Sequence, residues 1–459
     1  VRTLAQKIPA IVPARPEMSK GKLDYLRRIS ENVGTGALQP GNITQDALSR
    51  FGLVRASIGP GQVVGLRRPG LVALHSLADL FIKESVQYSR GTTFKELSDF
   101  LFGYAVEALA SQTDQPPGPA ELRAVDAAVS DWYASRAATR RLYVPCLLTH
   151  TASPAFGVGD VQFTHLEEFR KTQTAVAARD DFGRLFELMS QLDAHWIATV
   201  TVAACHESRA WELADRAVDV AIAALQLTVP RENSAKMARL YARTSPQRHI
   251  LIAKEGRGFR ASYLNRSPGL TLGSGALSYY LSAGRTVVDA VGRRLRVLTT
   301  GESSVPKLDQ AWCDAAYWLH EGLAEVLETI AVAKLETAIE VLLTAQSSKG
   351  SRRRTIKAIG AFYGLGDRDP IRPDSDVIVS EFADRFVTER SRILHGTWST
   401  LDSVLGASRE TLESFLCDLL ALYVTQLDRY AGGAGADDCD EFLEWSDQRR
   451  KEVAASRPA

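Results

Sequence analysis

The chain has 459 residues, 45% of them hydrophobic and 24% charged, with a formal net charge of +1. At about 100–200 residues per domain this suits two to four globular domains, and it excludes a molecule-wide basic field, so any nucleic-acid site must be local. Five scattered cysteines without a C-x-x-C pair argue against a disulfide framework or a zinc ribbon and for a reducing compartment.

Residues 1–45 are mixed polar, with one short helix expected at KLDYLRRISENV. The opening VRTLAQKIPAIVPARPEMSK is interrupted by prolines and does not read as a signal peptide. No apolar run approaches the roughly 18 residues of a membrane span, so a cytoplasmic location without membrane contact is expected. After DALSRFGLV comes the glycine-rich SIGPGQVVGLRRPG, which lacks G-x-G-x-x-G spacing and reads as a turn. The amphipathic LVALHSLADLFIKESV and TFKELSDFLFGYAVEALAS follow, up to the break DQPPGPAE. Residues 1–135 are therefore expected to be helical.

Residues 136–305 change character. RRLYVPCLLTH, GDVQFTHL, AHWIATVTVAA, RHILIAKE, FRASYLN and GRRLRVLTT are rich in β-formers, and ESRAWELADRAVDVAIAALQL is an amphipathic helix. The expectation is an α+β region that senses or regulates. Beyond TTGESSVPK the strand signals stop, and 306–431 reads as an all-α bundle within a mainly α chain. Its first apolar stripe, Trp312 to Ile330, slips phase at Val332, which predicts a kink or two consecutive helices. SKGSRRRT reads as a basic loop, and 432–459 as a flexible tail.

In DVIVSEFADRFVTERSRILHG, the apolar Val379, Phe382 and Phe386 share one helix face, and the same stripe continues through Arg390 to Ile393. A guanidinium on an apolar stripe needs a partner or an anion. Pairing with a bundle carboxylate, Glu336 being the best candidate, is the structural explanation. The chemical one involves His395, which precedes the natural helix stop Gly396. An arginine can hold a phosphate and a histidine can move the proton of a 2′-OH or a leaving 5′-oxygen, the minimum for cutting RNA without a metal. On a regular helix a separation of five residues means a turn of roughly 140° and a rise of about 7.5 Å. Two copies across a two-fold axis satisfy that spacing more easily than one. Arg352, Arg353, Arg354 and Arg392 are candidate RNA contacts, although a charge run in a loop is usually just solvated. No His, Cys or carboxylate cluster has ligand spacing and no H-E-x-x-H occurs, so neither metal nor cofactor is expected.

Arg390-Ser-Arg-Ile-Leu-His395-Gly396, with the upstream Leu335-Glu336 pair, resembles the R-x-x-x-x-H hallmark of HEPN domains of the ApeA-like type, over about 306–431. The resemblance implies a dimeric, metal-independent ribonuclease of toxin or phage-defence systems. Arg390 and His395 would be the catalytic pair, with Ser391 and Glu336 in support. Active members often carry Asn, Asp or His after the arginine; here it is Ser391, whose hydroxyl can still bond a phosphate. The alternative is a non-catalytic HEPN module for dimerisation or RNA binding.

Overall fold

The computed structural model describes residues 16–37, 53–59, 62–109, 116–240, 248–255, 258–265, 268–269, 272–345, 347–373, 375–398, 406–433 and 435–456. The chain divides into two compact units, one of Val1–Thr139 with Ala204–Ala210, the other of Arg140–Ala203 with Trp211–Ala459. Helices dominate both.

In the first unit the principal helices are α1 (Pro16–Asn32), α2 (Arg68–Glu84), α3 (Phe94–Tyr104) and α4 (Pro119–Arg136). Their apolar stripes meet in one core that includes Leu26, Ile29, Leu74, Leu77, Leu101, Val129 and Trp132. Thr93 starts α3 with a reciprocal capping box to Glu96. Lys22 is buried, and its charge is met by Glu84, by Asp126 at 3.2 Å and by the face of Phe81 at 3.9 Å. The bonds that join the excursion 204–210 to this unit include Tyr133 Oη donating to the Ala204 carbonyl (2.6 Å), the His206 N–H to the Gly91 carbonyl (2.8 Å) and the Ser208 hydroxyl to Glu96 Oε1 (2.6 Å). A Cβ on Gly91 would lie 1.9 Å from Tyr133 Oη, so only glycine fits there.

This region is not wholly helical as expected. Strands β1 (Val33–Ala37), β2 (Leu53–Gly59) and β3 (Gln62–Leu66) form an antiparallel sheet in the order β1-β3-β2. In SIGPGQVVG, Gly59 and Gln62 are paired ends of the antiparallel β2 and β3, so the segment lies between two strands and not between helices. Pro60 and Gly61 lie outside the described residues.

A sheet in the order β5-β6-β7-β4-β8 is built from β4 (Ala138–Leu147), β5 (Phe156–Val158), β6 (Val161–His165), β7 (Trp196–Cys205) and β8 (Ala238–Arg239), and belongs to the second unit apart from the start of β4 and the end of β7. β6 and β7 are antiparallel with His165 opposite Trp196. β9 (Arg248–Glu255) and β10 (Gly258–Asn265) make a separate antiparallel pair. Helices α5 (Asp180–Gln191), α6 (Glu207–Thr228) and α7 (Arg285–Arg294) accompany the sheet. The residues of α6 from Ala217 to Leu225 are inaccessible except for Asp219, which is itself 2% exposed. A helix apolar on all sides belongs in the middle of a core. Arg239 of β8 meets Asp219 with Nε at 3.0 and 3.1 Å from the two carboxylate oxygens, and meets Asp215 at 3.1 Å.

The expected strand GRRLRVLTT is instead helical, the end of α7 and a short turn Arg296–Thr299. Val291, Leu295 and Leu298, four and three apart, are all buried, so the helical period outweighs the β-forming composition.

From residue 306 the described chain runs through α8 (Pro306–Ala324), α9 (Glu328–Leu342), α10 (Ser348–Tyr363), α11 (Val379–Leu394), α12 (Gly406–Gly432) and α13 (Cys439–Ala455). The phase slip resolves into two helices, α8 and α9. Trp312 of α8 is buried with its Nε1–H on the Leu420 carbonyl of α12 (3.2 Å). Two expectations need correction. Arg352–Arg354 lie within α10 and not in a loop, because Ser347 accepts the Gly350 N–H and caps a helix that starts before them. The segment after Gly432 is not a loose tail: Asp438 caps α13 through the N–H groups of Asp440 and Glu441, and Phe442 and Leu443 are fully buried. Phe442 sits among Tyr423, Tyr430 and Trp445. Phe442→Ala is expected to destabilise the protein by about 3–5 kcal/mol; a change under 1 kcal/mol in urea unfolding would mean that α13 is not part of the core.

Candidate functional site

The site follows from the stripe on α11. Val379, Phe382, Phe386 and Ile393 are buried, and Phe382 packs edge-on against Phe386 and Phe415. Arg390, on the same face, is directed at α9. Its Nε lies 2.9 Å from Glu336 Oε2 and its Nη1 2.8 Å from Glu340 Oε2, the two glutamates being one turn apart. The Nε contact is electrostatic only, because neither Nε nor Glu336 Oε2 completes an aligned hydrogen bond. The Arg390 side chain remains 24% exposed, whereas Glu336 is 2% exposed.

Two carboxylates facing one guanidinium in a dry setting cannot both be comfortably ionised. Burial first, then the neighbouring Glu340, pushes the Glu336 carboxyl up to about 8 against the opposing pull of Arg390 and of the Ser351 hydroxyl. Burial likewise raises Glu340. Of the two, Glu336 is the carboxyl that is held in its neutral acid form at pH 7.

His395 caps the C-terminus of α11 and is exposed, with its N–H on the Ser391 carbonyl (3.0 Å). Gly396 then turns left-handed at φ 69°. Its N–H donates to Ile393 (3.1 Å) and that of Thr397 to Arg392 (2.9 Å), the crossed pair of a Schellman ending. Arg390 and His395 thus do not share a face of the helix, as the spacing anticipates. Ser391 is half-buried. Arg392 is exposed, its guanidinium 5.4 Å from the centre of the Trp398 ring.

The arginine run is not one surface. Arg352 pairs with Asp384 of α11. Arg354 bonds Asp440 (2.8 Å) and the Leu343 and Thr344 carbonyls that end α9, so it caps a helix and ties α13 to it. Arg353 is exposed. Of the residues singled out in the sequence, Arg390 and Glu336 are brought together, and Arg353, Arg392 and His395 face solvent.

Sequence reasoning missed Glu340, although its position four after Glu336 puts it on the same helix face. It also missed one cluster with metal-ligand chemistry. His150, Asp193 and His195 each offer a ligand atom, all within 4.8 Å of one another. Residue 150 is far from 193 in the chain, and only the fold makes them neighbours. Compared with known proteins, the chain matches no family model, no curated protein and no solved structure.

The raised Glu336 carboxyl predicts a sign. A folded-state value near 8 against an ordinary 4.5 means that its contribution to stability is fully present below about pH 4.5 and is lost as pH rises through 8. Glu336→Gln, which imitates the neutral acid, should therefore gain Tm relative to the wild type between pH 6 and 9. Parallel Tm–pH curves for the two proteins would show that Glu336 is ionised throughout.

Proposed function

We propose that the C-terminal helices form a metal-independent, HEPN-type endoribonuclease that works as a homodimer, an effector of the toxin or phage-defence kind. His395 moves the proton and Arg390 neutralises charge on the phosphoryl oxygens, so that attack by the 2′-OH leaves a 2′,3′-cyclic phosphate and a 5′-OH end. What supports the reading is one juxtaposition. A guanidinium that the apolar stripe would not tolerate alone is fixed by two carboxylates yet stays a quarter exposed, and a solvent-facing histidine ends the same helix. Fixed orientation is what transition-state stabilisation needs, since nothing then reorganises as charge develops. The roughly 140° between the two positions favours a cleft in which Arg390 of one copy and His395 of another meet one phosphate. Arg353 and Arg392 supply exposed positive charge for the RNA backbone.

A second reading, a non-catalytic dimerisation or RNA-binding scaffold, is favoured by the same ion pairs. They give Arg390 a packing role, and the Schellman ending gives Gly396 one.

Because Arg390 is ion-paired, its variants lose stability under either reading, by about 3–5 kcal/mol where a buried carboxylate is stranded. His395 is the residue that separates them. His395→Ala should leave Tm and RNA binding unchanged and lower RNA cleavage by about 10²–10⁴-fold, with cyclic-phosphate ends on the wild-type products. Equal cleavage by both proteins, or no cleavage by either, would leave the scaffold as the function.

A further inference from the structure

The geometry points to a divalent transition-metal site, of the kind that takes Zn²⁺, at His150, Asp193 and His195. The three residues arrive from different parts of the second unit. His150 follows β4, Asp193 lies in the turn after α5, and His195 immediately precedes β7. The backbone around them is held by specific bonds. Trp196 Nε1–H donates to the Thr149 carbonyl (3.0 Å) and hydroxyl (3.1 Å), which fixes the chain entering His150. The His195 carbonyl accepts the Leu166 N–H at 2.7 Å, which fixes it against the end of β6.

The donor set suits a borderline ion: two imidazoles and one carboxylate. Asp193 stands between the two rings, with Oδ1 3.1 Å from His195 Nε2 and Oδ2 3.7 Å from His150 Nδ1. Ligands about 2.0–2.2 Å from a tetrahedral zinc lie roughly 3.3 Å apart, so these separations are close to the edges of such a site. All three side chains are 27–33% exposed, which leaves an entry path and an open coordination position.

Asp193 adopts φ 57°, a left-handed turn that aspartate tolerates better than most residues. One further observation points to a ligand. His165, the last residue of β6, is 6% exposed, and among the described residues neither of its ring nitrogens has a hydrogen-bond partner. Its ring lies nearly parallel to that of His195 with centroids 6.0 Å apart. A buried imidazole without a partner is costly. An ion at His195, with its bound water, would supply a polar neighbour that the described residues do not.

The test uses the full chain, stripped with a chelator, dialysed, and titrated with Zn²⁺ in a calorimeter, with Co²⁺ absorption as a second readout. One equivalent per chain should bind, and the Co²⁺ spectrum should lack thiolate charge-transfer bands. His150→Ala and His195→Ala should each weaken Zn²⁺ binding by at least about 100-fold, the upper end of what losing a mere supporting partner costs. Asp193→Asn, which tolerates the left-handed backbone, should weaken it as well. Less than one equivalent in the wild type, unchanged uptake in the His150→Ala/His195→Ala double variant, or a thiolate band in the Co²⁺ spectrum would each overturn the assignment. The Co²⁺ spectrum needs only the wild-type protein, so the assignment stays open to refutation even where a variant fails to fold.

Discussion

A carboxylate in the middle of an apolar helix is the constraint on which the second unit turns. Asp219 interrupts a stretch of α6 that is otherwise inaccessible, and burial pushes its carboxyl up to about 7 even with Arg239 beside it. Such a group is tolerated only where other elements bring it a partner. β8 contributes the guanidinium, and α8 closes the other side with His320, which burial keeps neutral by lowering it to about 4. The His320 Nδ1 in turn meets Gln226 Oε1 at 3.3 Å, and the Gln226 amide bonds the Ser234 carbonyl. One helix thereby joins the sheet to the first helix of the C-terminal bundle. The α+β middle and the bundle belong to the same compact unit.

The Arg390 cluster applies the same rule with a different outcome. At Asp219 the cation comes from a neighbouring strand and the site is closed, whereas at Glu336 and Glu340 it comes from a helix whose end is open to solvent. Burial beside a second carboxylate favours the neutral acid form of Glu336, and the arginine is held without being hidden. Packing and chemistry make the same demand on Arg390, a fixed orientation, so its ion pairs are compatible with both a scaffold and an enzyme. The discriminating side chain is the exposed one at the end of the helix.

The parts of this that were legible in the sequence are those carried by period. The stripe Val379, Phe382, Phe386, Arg390, Ile393 is buried on one face apart from its arginine, and Glu336 is the partner that the stripe called for. The strands at RRLYVPCLLTH, GDVQFTHL, AHWIATVTVAA, RHILIAKE and FRASYLN stand where β-formers alternate. Composition misled where it competed with period, as in GRRLRVLTT; SIGPGQVVG reads as a turn, and it was the strands on either side of it that were missed. Charge misled at Arg352–Arg354, because a basic run reads the same in a loop as in a capped helix. The cluster of His150, Asp193 and His195 was not readable at all, since it exists only through the order of neighbouring strands.

The excursion of residues 204–210 into the first unit has a consequence for synthesis. A ribosome delivers the chain from the N-terminus, and domains generally fold as units while they emerge. The first unit is complete only when Ala204 and His206 reach Tyr133 and Gly91, after the 140–203 stretch of the second unit has already been made. The two units are therefore nested in time. The earlier one must wait, with its Tyr133 and Gly91 contacts unmade, while β5 and β6 of the later one emerge, and its completion is set by translation beyond residue 210.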